Sequence, residues 1–273
     1  MADSNFGVFN IFSRMELNRV IVLLRHGIIY LPNEGVVGNI PITALSELGA
    51  EIGPDRRQVH SAFKLSTTKT LYGALWGYDS SVNKTISQTP NAFLEPKGAK
   101  EARNLWKKRG NLLIVERAWL STYPTLAAYL KEGVLSNVWW PVSIQDDTAK
   151  ILAIWLNSTL GLLLLLSNVV VTRGPWVDIK KEHLQAMPIL NVKKLSEKSR
   201  KALLDLYDQT IGDKKIYESE LKALPEEFSD PQTRILIDAG VSKALGLKLK
   251  LDDLYELLST EPMITGKNVD SQT

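Results

Sequence analysis

The chain has no cysteine and only three histidines in 273 residues. Without cysteine there is no disulfide framework, no thiolate zinc site and no cysteine nucleophile. Such a chain suits a reducing compartment, so a cytoplasmic location is expected. His26, His60 and His183 are too scattered for a metal-ligand cluster, so no metal is expected. A glycine-rich phosphate loop is also missing, because Gly35-x-x-Gly38 lacks the lysine and helix that should follow it. The opening residues MADSNFGVFNIFSRMELN carry no basic start ahead of an apolar core. Arg14 and Glu16 stand where that core belongs, so no secretory signal is expected. No internal repeat or low-complexity segment occurs.

What is present is ordinary globular composition, with 44% hydrophobic and 23% charged residues. The length allows one large domain or two small ones with ample core. One stretch dominates: DTAKILAIWLNSTLGLLLLLSNVVVTRG, Asp147 to Gly174. Asp147 and Thr148 suit a helix start. The β-branched run Val169 to Thr172 favours a strand, and Gly174-Pro175 stops it. The stretch reads as a buried core helix feeding a buried strand. About twenty apolar residues can also cross a bilayer, but Asn157, Ser158, Thr159 and Asn168 interrupt this run and no basic cluster flanks one end. No membrane association is expected.

Along the chain, residues 19–31 read as two short strands around Arg25-His26-Gly27, and 43–52 as a short helix. Pro54 starts a helix running to Phe63. Residues 66–92 read as strand and loop. Residues 97–109 form an amphipathic helix capped by Gly110, and Leu112 to Val115 a strand. Two strands follow within 123–144, turning at Glu132-Gly133. In Trp139-Trp140 the alternation of a strand puts one ring inward and leaves only the other exposed. Ile179 to Gln185 is a short helix, and Pro188 opens an extended segment. From Ser196 the spacing is helical, with further helices in 231–245 and 251–258. The tail from Gly266 is polar.

Arg25-His26-Gly27 at the end of the apolar run Val20–Leu24 is similar to the signature of the histidine phosphatase and phosphoglycerate mutase family. There a strand delivers a histidine that takes up phosphoryl beside arginines. The second histidine this chemistry needs is absent from the right context: His183 lies in Glu182-His183-Leu184. A nuclease pairing of Pro54-Asp55 with Glu95-Pro96-Lys97 is opposed by the proline in the second triplet. Asp146-Asp147 and Asp252-Asp253 read as helix N-terminal charges.

The basic residues are better organised. Between Lys97 and Arg117 stand Lys97, Lys100, Arg103, Lys107, Lys108, Arg109 and Arg117 against Glu101 and Glu116, with Trp106 and Trp119 interleaved. Between Lys180 and Lys201 stand seven more against Glu182 and Glu197. A formal net charge of +3 hides both excesses. Each alone is an ordinary solvated face. Together with Arg56-Arg57 and Arg173 they point to a polyanion, because each phosphate neutralised strengthens and salt-sensitises binding.

The order of several segments resembles the C-terminal target-recognition region of adenine-specific DNA methyltransferases in restriction–modification systems, of type I, type IIG and Taq-like kinds. They are Ile52-Gly53-Pro54-Asp55-Arg56-Arg57, Gly110-Asn111-Leu112-Leu113-Ile114-Val115-Glu116-Arg117, Ser136-Asn137-Val138-Trp139-Trp140, Leu156-Asn157-Ser158-Thr159-Leu160-Gly161 and Met187-Pro188-Ile189, closing with Arg234-Ile235-Leu236-Ile237-Asp238. The resemblance implies a module that reads double-stranded DNA. Its chemistry would lie in a separate domain that binds S-adenosylmethionine. This chain has no Pro-Pro pair, so the family's catalytic loop is missing, and no cofactor is expected here.

The expectation is therefore an α+β fold: a mixed-sheet target-recognition-like domain with a central buried helix, then a small helical subdomain. Residues 1–53 would be N-terminal strands and linker, left from a methyltransferase domain. Residues 54–192 would be the recognition domain, 193–265 the helical subdomain and 266–273 the tail. The function implied is DNA binding beside a methyltransferase or restriction subunit, through Arg56, Arg57, Lys107, Lys108, Arg109, Arg117, Arg173, Lys180 and Lys181. The alternatives are phosphoryl transfer at His26 and a protein-interaction scaffold built on the helical tail.

Overall fold

The structure, a computed structural model, describes residues 12–77, 86–120, 125–171, 176–212 and 232–266. It opens with helix α1 (Met15–Arg25) where a strand was expected. Leu17, Val20, Ile21 and Leu24 recur at i, i+3, i+4 and i+7 and are all buried, which is the period of a helix face. Gly27, at φ +78°, takes the left-handed conformation that ends it. Strands β1 (Ile28–Leu31) and β2 (Gly35–Asn39) form a hairpin. The helix expected over 43–52 is instead β3 (Ile42–Ala44), one 3-10 turn (Leu45–Leu48) and β4 (Glu51–Ile52). Gly49, at φ +85°, stops that turn before it can lengthen.

Helix α2 (Arg56–Ala62) starts as expected after Pro54, with a reciprocal capping box between Asp55 and Gln58. Then come β5 (Phe63–Leu65), β6 (Gly73–Leu75), β7 (Ala92–Pro96), α3 (Ala99–Trp106), β8 (Gly110–Val115) and β9 (Arg117–Trp119). Pro96 does sit in a strand, at its last residue, where a missing N–H is tolerated. Gly110 does not cap α3 but begins β8. A Cβ there would lie 2.6 Å from the carbonyl carbon of Pro141 and 2.7 Å from that of Val142, so the neighbouring strand requires glycine. Strand β10 (Ala127–Ser136) runs straight through Glu132-Gly133 with a register irregularity. Strand β11 (Trp139–Ser143) follows Asn137-Val138 and, like β10, pairs antiparallel with β8, so no hairpin joins β10 to β11.

The apolar run is two helices, α4 (Asp146–Leu156) and α5 (Thr159–Leu166), bent by 88°. Every α5 residue is buried. Among the described residues no single helix is long and apolar enough to cross a membrane, and α4 and α5 meet that test only as a bent pair. Strands β12 (Val170–Val171) and β13 (Trp176–Asp178), helix α6 (Lys181–Gln185) and β14 (Pro188–Leu190) follow. The chain continues with α7 (Glu197–Gly212), α8 (Gln232–Ala244), α9 (Asp252–Thr260) and α10 (Pro262–Thr265).

The fold is α+β. Its main sheet has the order β4-β11-β8-β10-β6-β7-β5, antiparallel except between β10 and β6. Smaller sheets pair β1 with β2, β14 with β3, and β12-β13-β9. One large core joins α1, the middle of the main sheet, α4, α5 and the later helices: Leu203, Tyr207, Ile237, Val241, Leu254 and Leu258 all belong to it. A second, smaller cluster lies under α2 and α3 against β5, β6 and β7.

The bend between α4 and α5 is built by Leu156-Asn157-Ser158-Thr159-Leu160-Gly161. Asn157 is buried; its amide donates to Ala127 O (2.7 Å) and Ala153 O (2.8 Å) and accepts from Leu126 N (2.8 Å). It therefore ties the end of α4 to the start of β10. Ser158 caps α5 by accepting from Gly161 N (3.1 Å). Thr159 donates through N (2.7 Å) and Oγ1 (2.6 Å) to the carboxylate of Asp238 on α8, which also accepts from Tyr255 OH on α9 (2.8 Å). Burial pushes the Asp238 pKa up, against the lowering effect of these donors and Arg234.

Candidate nucleic-acid interface

Three separate stretches of basic sequence converge on one cleft of about 870 Å³. The first turn of α2 brings Arg56 and Arg57. Strand β9 brings Arg117. The start of α6 brings Lys180, just ahead of the helix, and Lys181, its first residue. The backbone of Ile179 is held from two sides: its N–H donates to Glu116 O (2.8 Å), and its carbonyl accepts from the indole N–H of Trp140 (2.8 Å). These two bonds fix where Lys180 and Lys181 leave the chain. Lys181 Nζ donates to Gly53 O (3.0 Å), on the strand-to-helix connection that precedes α2. Gly53 is itself constrained, since a Cβ would overlap the carbonyl oxygen of Lys108 and lie 2.8 Å from the ring of Pro141.

The cleft is not uniformly positive. Five cations face four carboxylates, Asp55, Glu116, Asp178 and Glu182. Two of the four are already engaged. Asp55 caps α2, and Asp178 accepts from Arg117 Nε at 2.7 Å. Burial raises the Glu116 pKa; Arg56 acts in the opposite direction. Arg57 and Lys180 are exposed and form no salt bridge with a described carboxylate.

The remaining expected residues lie elsewhere. Lys107, Lys108 and Arg109 follow α3 and do not line the cleft. Arg109 folds back over the Trp106 ring (5.0 Å) and donates to Trp106 O (3.2 Å). Arg173 lies outside the described residues. Trp139 and Trp140 are both buried, contrary to the expectation of one exposed ring. The second face of β11 is covered, because the backbone at Ile179 closes over Trp140.

His26 is exposed at the end of helix α1, not at a strand end, and does not line the cleft that holds His60. Its neighbour Arg25 turns inward. Arg25 Nη1 donates to Ser167 O (3.2 Å), Ser167 Oγ (2.9 Å) and Asn168 Oδ1 (3.3 Å), satisfying the C-terminal end of α5. Its guanidinium is committed to the fold rather than presented to a phosphate. Among the described residues no group of three or more His, Cys, Asp or Glu side chains is placed to hold a metal ion.

Sequence reasoning missed the rest of the cleft's lining: the acidic Asp55, Glu116, Asp178 and Glu182, the amide of Asn137 and the indole of Trp140. It also missed the ribbon of β9 and β13, in which Arg117 faces Asp178 and Trp119 faces Trp176. The signal was the out-in-out alternation of Arg117-Ala118-Trp119 and Trp176-Val177-Asp178, short enough to pass as loop. Comparison with protein-family models, curated proteins and solved structures finds no match.

Proposed function

We propose that this chain is a DNA-binding target-recognition module of a restriction–modification methyltransferase system, with methyl transfer and S-adenosylmethionine belonging to a partner subunit. The observation that carries this reading is the convergence of Arg56-Arg57, Arg117 and Lys180-Lys181, far apart in sequence, on one open cleft. Arg57 and Lys180 are the phosphate-positioning cations. Arg117, held by Asp178, is geometrically fixed enough to read a base edge. The Leu156–Gly161 segment of the resemblance acts as scaffold: its side chains are spent on the α4–α5 bend and on α8. The test is fluorescence anisotropy of labelled duplex DNA across a salt series. Binding at low salt that weakens steeply supports the reading; no binding at low salt, or a flat salt response, overturns it.

A further inference from the structure

The ribbon of β9 and β13 has two faces of opposite character. Ala118 and Val177 point into the core and are buried (2% and 0% exposed). On the outer face, cross-strand pairing puts Arg117 beside Asp178 and, one step along, Trp119 beside Trp176. Arg117 and Asp178 line the cleft, so the tryptophan pair continues that surface outward. Its geometry is fixed. The two rings sit 5.0 Å apart at 55°, and the Arg117 guanidinium lies 5.2 Å from the centre of the Trp176 ring. Trp176 is thus in contact with both the Arg117 cation and the Trp119 ring. Trp119 remains 41% exposed, among the few large apolar side chains of the described residues that face solvent.

An exposed indole, rigidly backed and next to a cationic cleft, offers a flat π surface near a bound phosphate. That combination suits a nucleobase whose face is open, because base–aromatic stacking tolerates any sequence while neighbouring cations hold the backbone. A paired base inside a duplex presents only its edges. We infer that Trp119, supported by Trp176 and Arg117, is a stacking platform for an unpaired DNA base adjacent to the phosphates held in the cleft. This rests on the DNA-binding reading above and adds a second recognition element to it.

The experiment uses the full chain and two short labelled duplexes. One carries a single unpaired base; the other carries an abasic residue at that position. Both hold the same phosphates, so only stacking differs. The expected result is tighter binding of the unpaired-base duplex by roughly 5- to 150-fold, the range for one stacked base. Trp119→Ala should abolish the difference without changing the salt slope, and Trp119→Phe should keep most of it. If Trp119→Ala fails to fold by circular dichroism, Trp119→Thr takes its place, an uncharged strand former at an exposed strand edge. A steep salt slope with equal affinity for both duplexes, or with a preference that survives loss of the indole, overturns the platform and leaves the cleft reading standing. Absence of any salt-dependent binding by the unaltered chain removes both.

Discussion

Replacing Gly161 with alanine sets two effects of opposite sign against each other. Gly161 lies in the first turn of α5. Helix propensity alone favours alanine over glycine there by up to about 1 kcal/mol. The bend between α4 and α5 opposes it. A Cβ on Gly161 would overlap the carbonyl oxygen of Trp155 and lie 2.7 Å from its carbonyl carbon and 2.8 Å from Leu156 Cα. All three are backbone atoms of the last turn of α4, so no rotamer change relieves them. Trp155 is wholly buried, so that turn cannot retreat without disturbing the core. The same carbonyl accepts from Ser158 N (3.0 Å) and Ser158 Oγ (2.6 Å), the residue that caps α5. Overpacking of a rigid site costs about 1–3 kcal/mol, and disturbing the cap adds about 1 kcal/mol. The net expectation is destabilisation of about 2 kcal/mol, read as a drop in urea midpoint at unchanged slope. A Gly161→Ala chain as stable as the unaltered one, or more stable, would refute the reasoning.

Three further outcomes follow from the same contacts. Asp238→Ala leaves Thr159 N, Thr159 Oγ1 and Tyr255 OH without their acceptor and should lower stability by about 3 kcal/mol, with Asp238→Asn milder, in thermal or urea unfolding. Asp178→Asn removes a carboxylate from the cleft and releases Arg117; stability should change by less than about 1 kcal/mol, because the pair is part-exposed, while affinity for duplex DNA rises in anisotropy titrations. Because burial raises the Glu116 pKa, this carboxylate takes up its proton above the ordinary glutamate range as pH falls. The cleft loses one negative charge at that point, so DNA affinity should increase with falling pH through that window. Glu116→Gln should flatten that rise; an unchanged pH profile in this variant would contradict it.

Much of this architecture was legible because the residues obeyed one rule at a time. Pro54 marked the start of α2, the amphipathic pattern of residues 97–109 marked α3, which spans Ala99–Trp106, and Leu112 to Val115 marked β8. Errors arose where a contact distant in sequence decided the outcome. The helix α1 was hidden because its periodicity begins at Leu17, ahead of the apolar run Val20–Leu24 that catches the eye. Gly110 looked like a helix cap, but it is glycine because β11 passes against it. The apolar run looked like one helix because Asn157, Ser158 and Thr159 seemed mere interruptions, whereas their side chains build the bend. The basic residues were visible as clusters, yet clustering in sequence did not decide which share a surface. Arg117 and Lys180 are brought together by the pairing of β9 with β13 and the clamp on Ile179, and the bond from Lys181 to Gly53 O sets them beside the start of α2, which carries Arg56. Lys107 to Arg109, adjacent to one another in sequence, line no part of that cleft.

The central claim is that the cations of this cleft grip a DNA backbone. Its most direct test compares salt-titrated duplex binding of the unaltered chain with that of the Arg57→Ala, Lys180→Ala double variant, whose side chains are exposed and in no salt bridge with a described carboxylate. Each phosphate contact contributes about 0.9 to the logarithmic slope. The unaltered chain should bind at low salt with a steep negative slope, and the double variant should be shallower by about 2 units. Identical slopes for the two chains, or no binding by the unaltered one at low salt, would contradict the account.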